Sequence, residues 1–338
     1  MRLEVVTSLT RLMELEGAWW DVWRASGASP FQTPAWLMPW LEAFTRDPAL
    51  CSIAVHSGAG LEAVLPLFAF RYHGEKIAAP LGIGISDYLD VVVRRGSERD
   101  VRTHLSQGLA EIAREVDRVL LEDVPGGSPL HAVALSWGRP VERHQVCPRI
   151  SLLGRYSDYE RGLPRFLRRN LERGRRKLSA LGRARFAVAD ARSLGSALDA
   201  LFELHAARWR ARGEPGVLAD ENVRAFHRLA MPRLFSAGLL RFWLLERGDR
   251  ALGAAEVLVG DSVCYYMTGY DPSFSDVSVG SLIAARTIED AYELGRSSYD
   301  FLRGNEQYKY SFGARDEVTY KISLVSEGRS VGACGAPS

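Results

Sequence analysis

The sequence predicts a mixed α/β protein made of two copies of one unit, with mostly antiparallel sheets flanked by helices. Three observations predict it. Strand-like runs come in pairs around tight turns, 51–56 with 61–71 about Ser57-Gly58-Ala59-Gly60, and 239–246 with 250–259 about Gly248. Segments with a helical apolar stripe alternate with these pairs. The order of elements also repeats: segments starting at 9, 34, 51, 61, 88, 98 and 118 are matched by segments starting at 193, 221, 239, 250, 262, 280 and 298. An offset of 174–189 residues is too long for a solenoid and fits a duplicated domain, as does a length of 338 residues.

Each element has a local reason. Segment 9–25 puts Leu12, Leu15, Trp19 and Trp23 on one helical face and ends at Gly27 and Pro30. Thr33-Pro34 offers an N-cap and first turn to a helix over 34–45. The first strand pair follows, then a glycine loop at 81–86 leads to strand 88–93. Helix 98–115, strand 118–122, a Pro/Gly loop at 125–129 and a strand near 146–152 close the first half. In the second half, helices 193–211 and 221–236 precede strands 239–246, 250–259 and 262–270. Strand 262–270, helix 280–295 and strand 298–302 have the pattern of a βαβ crossover. The expected boundary lies near 150–160. It gives an N-terminal domain 1–155, a C-terminal domain 156–330 and a flexible tail 331–338, with a basic helix at 164–181 bridging the halves.

Hydrophobic residues at 47% and charged residues at 25% are ordinary for a folded protein and argue against disorder or a coiled coil. Cys51, Cys147, Cys264 and Cys334 are widely spaced, and there is no CxxC or HExxH, so neither a zinc site nor a disulfide framework is expected. Met1-Arg2-Leu3-Glu4 opens no signal peptide, and no apolar run reaches the length of a spanning helix. The expected location is cytoplasmic, with a peripheral place at the inner membrane as one option. Five of the eight tryptophans, Trp19, Trp20, Trp23, Trp36 and Trp40, fall in the first 40 residues. They are read as core packing, with a hydrophobic acceptor groove or membrane contact as the alternative.

The net charge of +2 conceals a local concentration. Residues 161–185 hold ten basic side chains against one acid, Glu172, which leaves +9 there and −7 in the rest of the chain. Leu163, Leu167, Leu171, Leu178 and Leu181 supply an apolar stripe, so a helix with a dense cationic face is expected. Four roles remain open for that face: plain solvation, the phosphates of an anionic ligand (with Arg168 and Arg169 as candidates), an anionic membrane, or RNA. The missing interleaved aromatics weigh against the last.

Two stretches carry candidate chemistry. Tyr265–Pro272 ends a strand, and the loop after it reaches Val279-Gly280-Ser281 at a helix start. Free N–H groups and the helix dipole favour an anion there, making Tyr270, Ser278, Val279, Gly280 and Ser281 candidate phosphate contacts. The bland reading is an ordinary helix cap. Tyr299–Gly313 gathers Asp300, Glu306, Tyr308, Lys309 and Tyr310 at a strand end. Its bland reading is an exposed turn with a packed aromatic segment.

Several motifs resemble the FemAB-like, cellulose-biosynthesis (CelD)-type acyltransferases of the GNAT superfamily. They are Phe31-Gln32-Thr33-Pro34-Ala35-Trp36, the basic helix from Phe166 to Lys177, Leu204-His205-Ala206-Ala207-Arg208-Trp209 through Gly213, Gly269-Tyr270-Asp271-Pro272, Val279-Gly280, and Tyr299-Asp300-Phe301 through Gly304, Glu306, Tyr308 and Lys309. The resemblance implies tandem GNAT-like (acyl-CoA N-acyltransferase) units, the C-terminal one carrying the acyl-donor site. It implies transfer of an acyl group from acyl-CoA, as co-substrate, to a primary amine on an amino sugar, an amino acid or a long-chain amine such as a sphingoid base. Relatives in the Fem branch use aminoacyl-tRNA, so tRNA-dependent transfer is one alternative; a non-catalytic module in polysaccharide or lipid export is another. The usual pyrophosphate signature is reduced here to Asp276–Ser281 with one glycine. For such a transfer Glu306 and His205 are candidate bases, and Tyr308 or Tyr310 is the proton donor to the thiolate. A backbone N–H near Tyr265–Tyr270 is the candidate oxyanion donor. The resemblance gives Lys309 a phosphate contact, while Asp300 is read as a hydrogen-bonding carboxylate. Trp36, Asp87, Tyr88, Arg208 and Trp209 are candidate acceptor contacts.

Overall fold

The computed structural model describes residues 1–137 and 141–325; the tail expected at 331–338 lies outside them. The chain falls into two compact units. One comprises Met1–Ala28, Asp47–His144 and the chain from Thr319; the other comprises Ser29–Arg46 and Gln145–Val318.

In chain order the first elements are β1 (Arg2–Val6), α1 (Leu9–Glu14), α2 (Glu16–Arg24), α3 (Pro34–Phe44), β2 (Ala49–Leu50), β3 (Ser52–Ser57), β4 (Gly60–Leu65), β5 (Leu67–Tyr72), β6 (Glu75–Pro80) and β7 (Val92–Val93). Next come α4 (Glu98–Glu115), β8 (Arg118–Pro125), α5 (Pro129–Ser136), β9 (Val141–Ser151), α6 (Tyr156–Gly162), α7 (Arg165–Ala180), β10 (Ala184–Val188), α8 (Leu194–Arg210) and α9 (Glu221–Ser236). The last are β11 (Leu240–Arg247), β12 (Arg250–Val259), β13 (Ser262–Tyr270), α10 (Val279–Glu293), β14 (Ser298–Asp300), α11 (Gln307–Ser311) and β15 (Arg315–Val325).

The first unit holds a sheet in the order β1-β3-β4-β7, antiparallel throughout. The second holds β10-β11-β12-β13 in the corresponding order, again antiparallel. Each series is followed by one long helix, α4 or α10, and then a strand, β8 or β14. β14 runs parallel to β13, as a βαβ step requires. The four-strand order therefore repeats, while the strand after the helix differs: β8 pairs with β6 and β15 rather than with β7.

In the second unit, alternation along β12 and β13 sends successive residues to opposite faces. One face carries Gly253, Val257 and Tyr265 against Val279, Leu282, Ile283 and Ile288 of α10. The other meets α8, and the approach is close: a Cβ on Gly269 would stand 2.5 Å from the His205 amide nitrogen, so only glycine fits. α9 packs beside α8, and α3 lies on α9 with Trp36 against Phe226. α3 is apolar nearly all round because it is covered on several sides.

Some local expectations shift. The helix expected over 9–25 breaks at Leu15 into α1 and α2. The run 61–71 divides at Pro66, whose nitrogen cannot join a ladder. Only 92–93 of the strand expected over 88–93 pairs. β1, β2, β6, α5, α6, β10, α11 and β15 appear where the sequence pattern gave no element. Among the described residues, no helix is long and apolar enough to cross a membrane.

Candidate active site

The site grows from a fork in the sheet of the second unit. β14 pairs with β13 only at Ser262–Cys264. Beyond Asp300 the chain turns to β9 instead: Phe301 N–H donates to Pro148 O at 2.9 Å, and Gly304 N–H to Val146 O at 2.9 Å. Among the described residues, the edge of β13 from Tyr265 to Tyr270 thus has no neighbouring strand on that side. A bulge re-phases this edge. Glu256 pairs with Met267 while Val257 pairs with Tyr265, so Tyr266 is the extra residue. In a regular strand Tyr265 and Thr268 would face opposite ways. Here the Tyr265 hydroxyl donates to Thr268 Oγ1 at 3.1 Å, and Thr268 Oγ1 donates to Ala254 O at 3.1 Å. Tyr265, Thr268 and Tyr270 share the α10 face.

α10 begins at the far end of this edge. Ser278 adopts a left-handed conformation (φ 61°) and gives no side-chain cap, so the N–H groups of Val279, Gly280 and Ser281 lack an intrahelical partner. The Tyr270 ring lies over Gly280, where a Cβ would stand 3.2 Å from it. The basic helix α7 runs alongside. Asn170 accepts from Ser278 Oγ at 3.1 Å and from Arg173 at 2.9 Å, and Lys177 pairs with Asp276 at 2.7 Å. A Cβ on Gly174 would stand 2.5 Å from Val277 O. Asn170, Arg173 and Lys177 flank this helix start, and Arg169 lies one turn before Arg173 on the same side of α7, whereas helical phase turns Arg168, expected as a phosphate contact, away from them. Among the described residues, Arg165, Arg168, Arg169, Arg173, Arg176 and Arg183 have no acidic partner, whereas Arg175 pairs with Glu160 at 2.6 Å.

The loop after β14 is held by buried charge. Asp300 is fully buried, salt-bridged to Arg149 at 3.0 Å and accepting from Leu302 N–H at 2.7 Å. It anchors the loop and is not a group free for proton transfer, which corrects its place among the catalytic candidates. Lys309 is equally committed. Its ammonium donates to Leu302 O at 3.1 Å, Arg303 O at 2.8 Å and Gly304 O at 3.0 Å, and pairs with Glu306 at 2.9 Å. With its side chain only 3% exposed, it faces inward rather than toward a phosphate. The clamp holds Leu302 and Gly304 at positive φ, 59° and 108°. Glu306 is more than half exposed at the loop's outer end. Tyr308 packs edge-on against Phe301. Burial, with Tyr265 and Glu306 nearby, pushes its phenol well above the usual range, and Arg208 and Tyr270 also act on it. Burial raises Tyr265 to about 12. Both are protonated phenols at neutral pH. Tyr310 sits beside Asp316.

Arg208 reaches the open edge from α8: it donates to Thr268 O at 3.3 Å, and its guanidinium lies 5.0 Å from the Tyr270 ring centre. Trp209 packs on His205 and Gly216. Burial, then Arg208 and His227, lower the His205 imidazole to about 4, so it is neutral at pH 7 and a weak base. Trp36 is fully buried between Phe31, Phe226 and Tyr266, so it does not present a surface to an acceptor as expected. Asp87 and Tyr88 are buried in the first unit. The structure therefore brings Tyr270, Ser278–Ser281, Arg208, Glu306 and Tyr308 together. Sequence reasoning missed Thr268 and Asn170, which only the bulge and the helix phase reveal, and it named Tyr265 only through its backbone. It also missed His227 and Glu256, whose signal was an acid within the apolar run of β12.

The model for the Acetyltransferase (GNAT) domain matches residues 165–310. No curated protein matches the sequence. Among solved structures, FemX aligns over 96% of this chain and 98% of its own with a TM-score of 0.68 at 11% identity. The C-terminal domain of a protein described as a lysylphosphatidylglycerol synthetase from Agrobacterium fabrum aligns over 94% and 93%, with a TM-score of 0.59 at 13% identity. A tandem GNAT protein from the clavulanic acid biosynthesis pathway aligns over 97% and 100%, with a TM-score of 0.50 at 14% identity. Residues 165–310 thus match the acetyltransferase (GNAT) domain, and the chain as a whole shares the fold of FemX and of a tandem GNAT protein.

Proposed function

We propose that this protein is an N-acyltransferase that takes its acyl group from acyl-CoA and gives it to a primary amine, in the manner of the CelD-type proteins its motifs resemble. The observation that carries this reading is the fork between β13 and β14, which opens beside an uncapped helix start. The residues fit such a donor. Val279, Gly280 and Ser281 offer backbone N–H groups to a pyrophosphate, and Arg173 adds a cation on the same side. Gly280 leaves room under the Tyr270 ring. A bound acyl thioester supplies an activated acyl carbon.

The chain's own groups then orient and move protons. The edge of β13 beyond its pairing with β14 offers an N–H to negative charge growing on the acyl oxygen. Tyr308, held protonated by burial, gives its proton to the departing sulfur and takes in return the remaining proton of the attacking nitrogen, so the phenol is restored as the amide forms. Glu306, at the mouth, takes the proton of the acceptor ammonium directly or through water. Arg208 fixes Tyr270 and the Thr268 carbonyl. Lys309 holds the loop that carries Glu306 and Tyr308.

Purified protein incubated with a panel of acyl-CoAs and amines tests the reading by release of free CoA. Tyr308→Phe is expected to lower kcat by about 10²-fold while donor KM stays near wild type. No CoA release with any pair, or full activity in Tyr308→Phe, would overturn the reading or the assignment respectively.

A further inference from the structure

Glu256 and His227 are the one acid–imidazole pair among the described residues in which both side chains are fully buried. His227 Nδ1 lies 2.9 Å from Glu256 Oε1, and both side chains are 0% exposed. Glu256 is the one acid of β12 and interrupts its buried apolar run, and no described residue bonds its second oxygen or His227 Nε2. Such a pair gives little stability, because desolvation offsets its attraction, and apolar replacements are often neutral or stabilising. Its position points to another role. Glu256 sits at the register shift of β12 against β13. The His227 ring stacks on Tyr266, the bulge residue, with centroids 5.8 Å apart and planes 23° apart. Tyr266 is wedged in turn against Phe31 and Trp36.

We propose that Glu256 and His227 are positioning residues that hold the β13 bulge at Tyr266, and through it the face bearing Tyr265, Thr268 and Tyr270. The proposal rests on the acyl-transfer reading of that face. The pair fixes the strand from the α9 side, and the bulge converts this into a side-chain arrangement on the α10 side. Without the extra residue, Thr268 would turn away from Tyr265 and the open edge would shift its N–H groups by one position.

The test compares wild type, the double variant Glu256→Leu/His227→Phe, and Glu256→Gln, which keeps an oxygen acceptor for His227. Thermal melting, hydrogen exchange over peptide 262–270, kcat and donor KM are read on the full chain. The double variant is expected to melt near or above wild type. Its 262–270 amides should exchange at least about tenfold faster, as a loosened local structure does. Its kcat should fall at least about tenfold with donor KM within about threefold. Glu256→Gln should keep kcat within about threefold of wild type. A double variant with wild-type kcat and wild-type exchange overturns the proposal. If it fails to fold, His227→Gln is read by the same measures. If wild type turns over no donor, the acyl-transfer reading fails, and exchange over 262–270 alone decides whether the pair holds the bulge.

Discussion

Lys309 was legible as a special residue, but its role was not. An aromatic–lysine pair in a polar strand end reads as a phosphate contact, since nothing in the sequence says where the ammonium turns. The structure spends its donors on three loop carbonyls and Glu306. Lys309→Met should therefore lower stability by about 2–4 kcal/mol, because buried carbonyls lose their partner. A urea titration checks this; unchanged stability with a raised donor KM would restore the phosphate role. His205 permits a second prediction. Its folded imidazole is depressed to about 4, chiefly by burial, against 6.5 when exposed. The unfolded chain then binds the proton more readily. The stability held by the neutral ring is complete above pH 6.5 and is lost as pH falls toward 4. His205→Gln should lose less stability than wild type between pH 7.5 and 4.5, and equal losses would show that the ring is not shielded.

Elements with strong periodicity and clear punctuation were read to the residue: 98–115, 221–236, 250–259 and 262–270. β1 and β10 escaped because five-residue strands with mixed exposure carry too weak an alternation. α11 escaped because five residues hold no helical period. For α7 the apolar stripe was plain, and the stripe sets the helix phase. Which cations flank α10 could not be known without the neighbour. The phase now separates them. Arg173→Ala should raise donor KM about five- to tenfold, as loss of one cation–phosphate contact does. Arg168→Ala, turned to another side of α7, should leave donor KM unchanged. Steady-state kinetics on the two variants check this, and equal effects would remove the assigned orientation of the donor phosphates.

At the scale of the molecule, duplication was visible as an order of elements, but the membership of each unit was not. Residues 29–46 lie far from 145–318 in sequence and share its compact unit, while the chain from Thr319 belongs with the first. The hint was α3 itself, whose eleven residues include no cation and one acid, more than a helix with one buried face needs. Its Trp36 fills a fully buried place against Phe226 and Tyr266, and Phe31 completes the cluster. Removing such a side chain costs about 3–5 kcal/mol, a large share of a typical domain's stability of about 5–15 kcal/mol. Residues 145–318 expressed alone should therefore lack a cooperative melt. The same fragment joined to residues 29–46 through a long Gly/Ser linker should regain one, and Trp36→Ala in the joined form should abolish it again. Differential scanning calorimetry on the three proteins decides the matter. A cooperative transition for 145–318 by itself would mean that α3 decorates this unit rather than completing its core, and the bulge at Tyr266 would then have to be held from α9 alone.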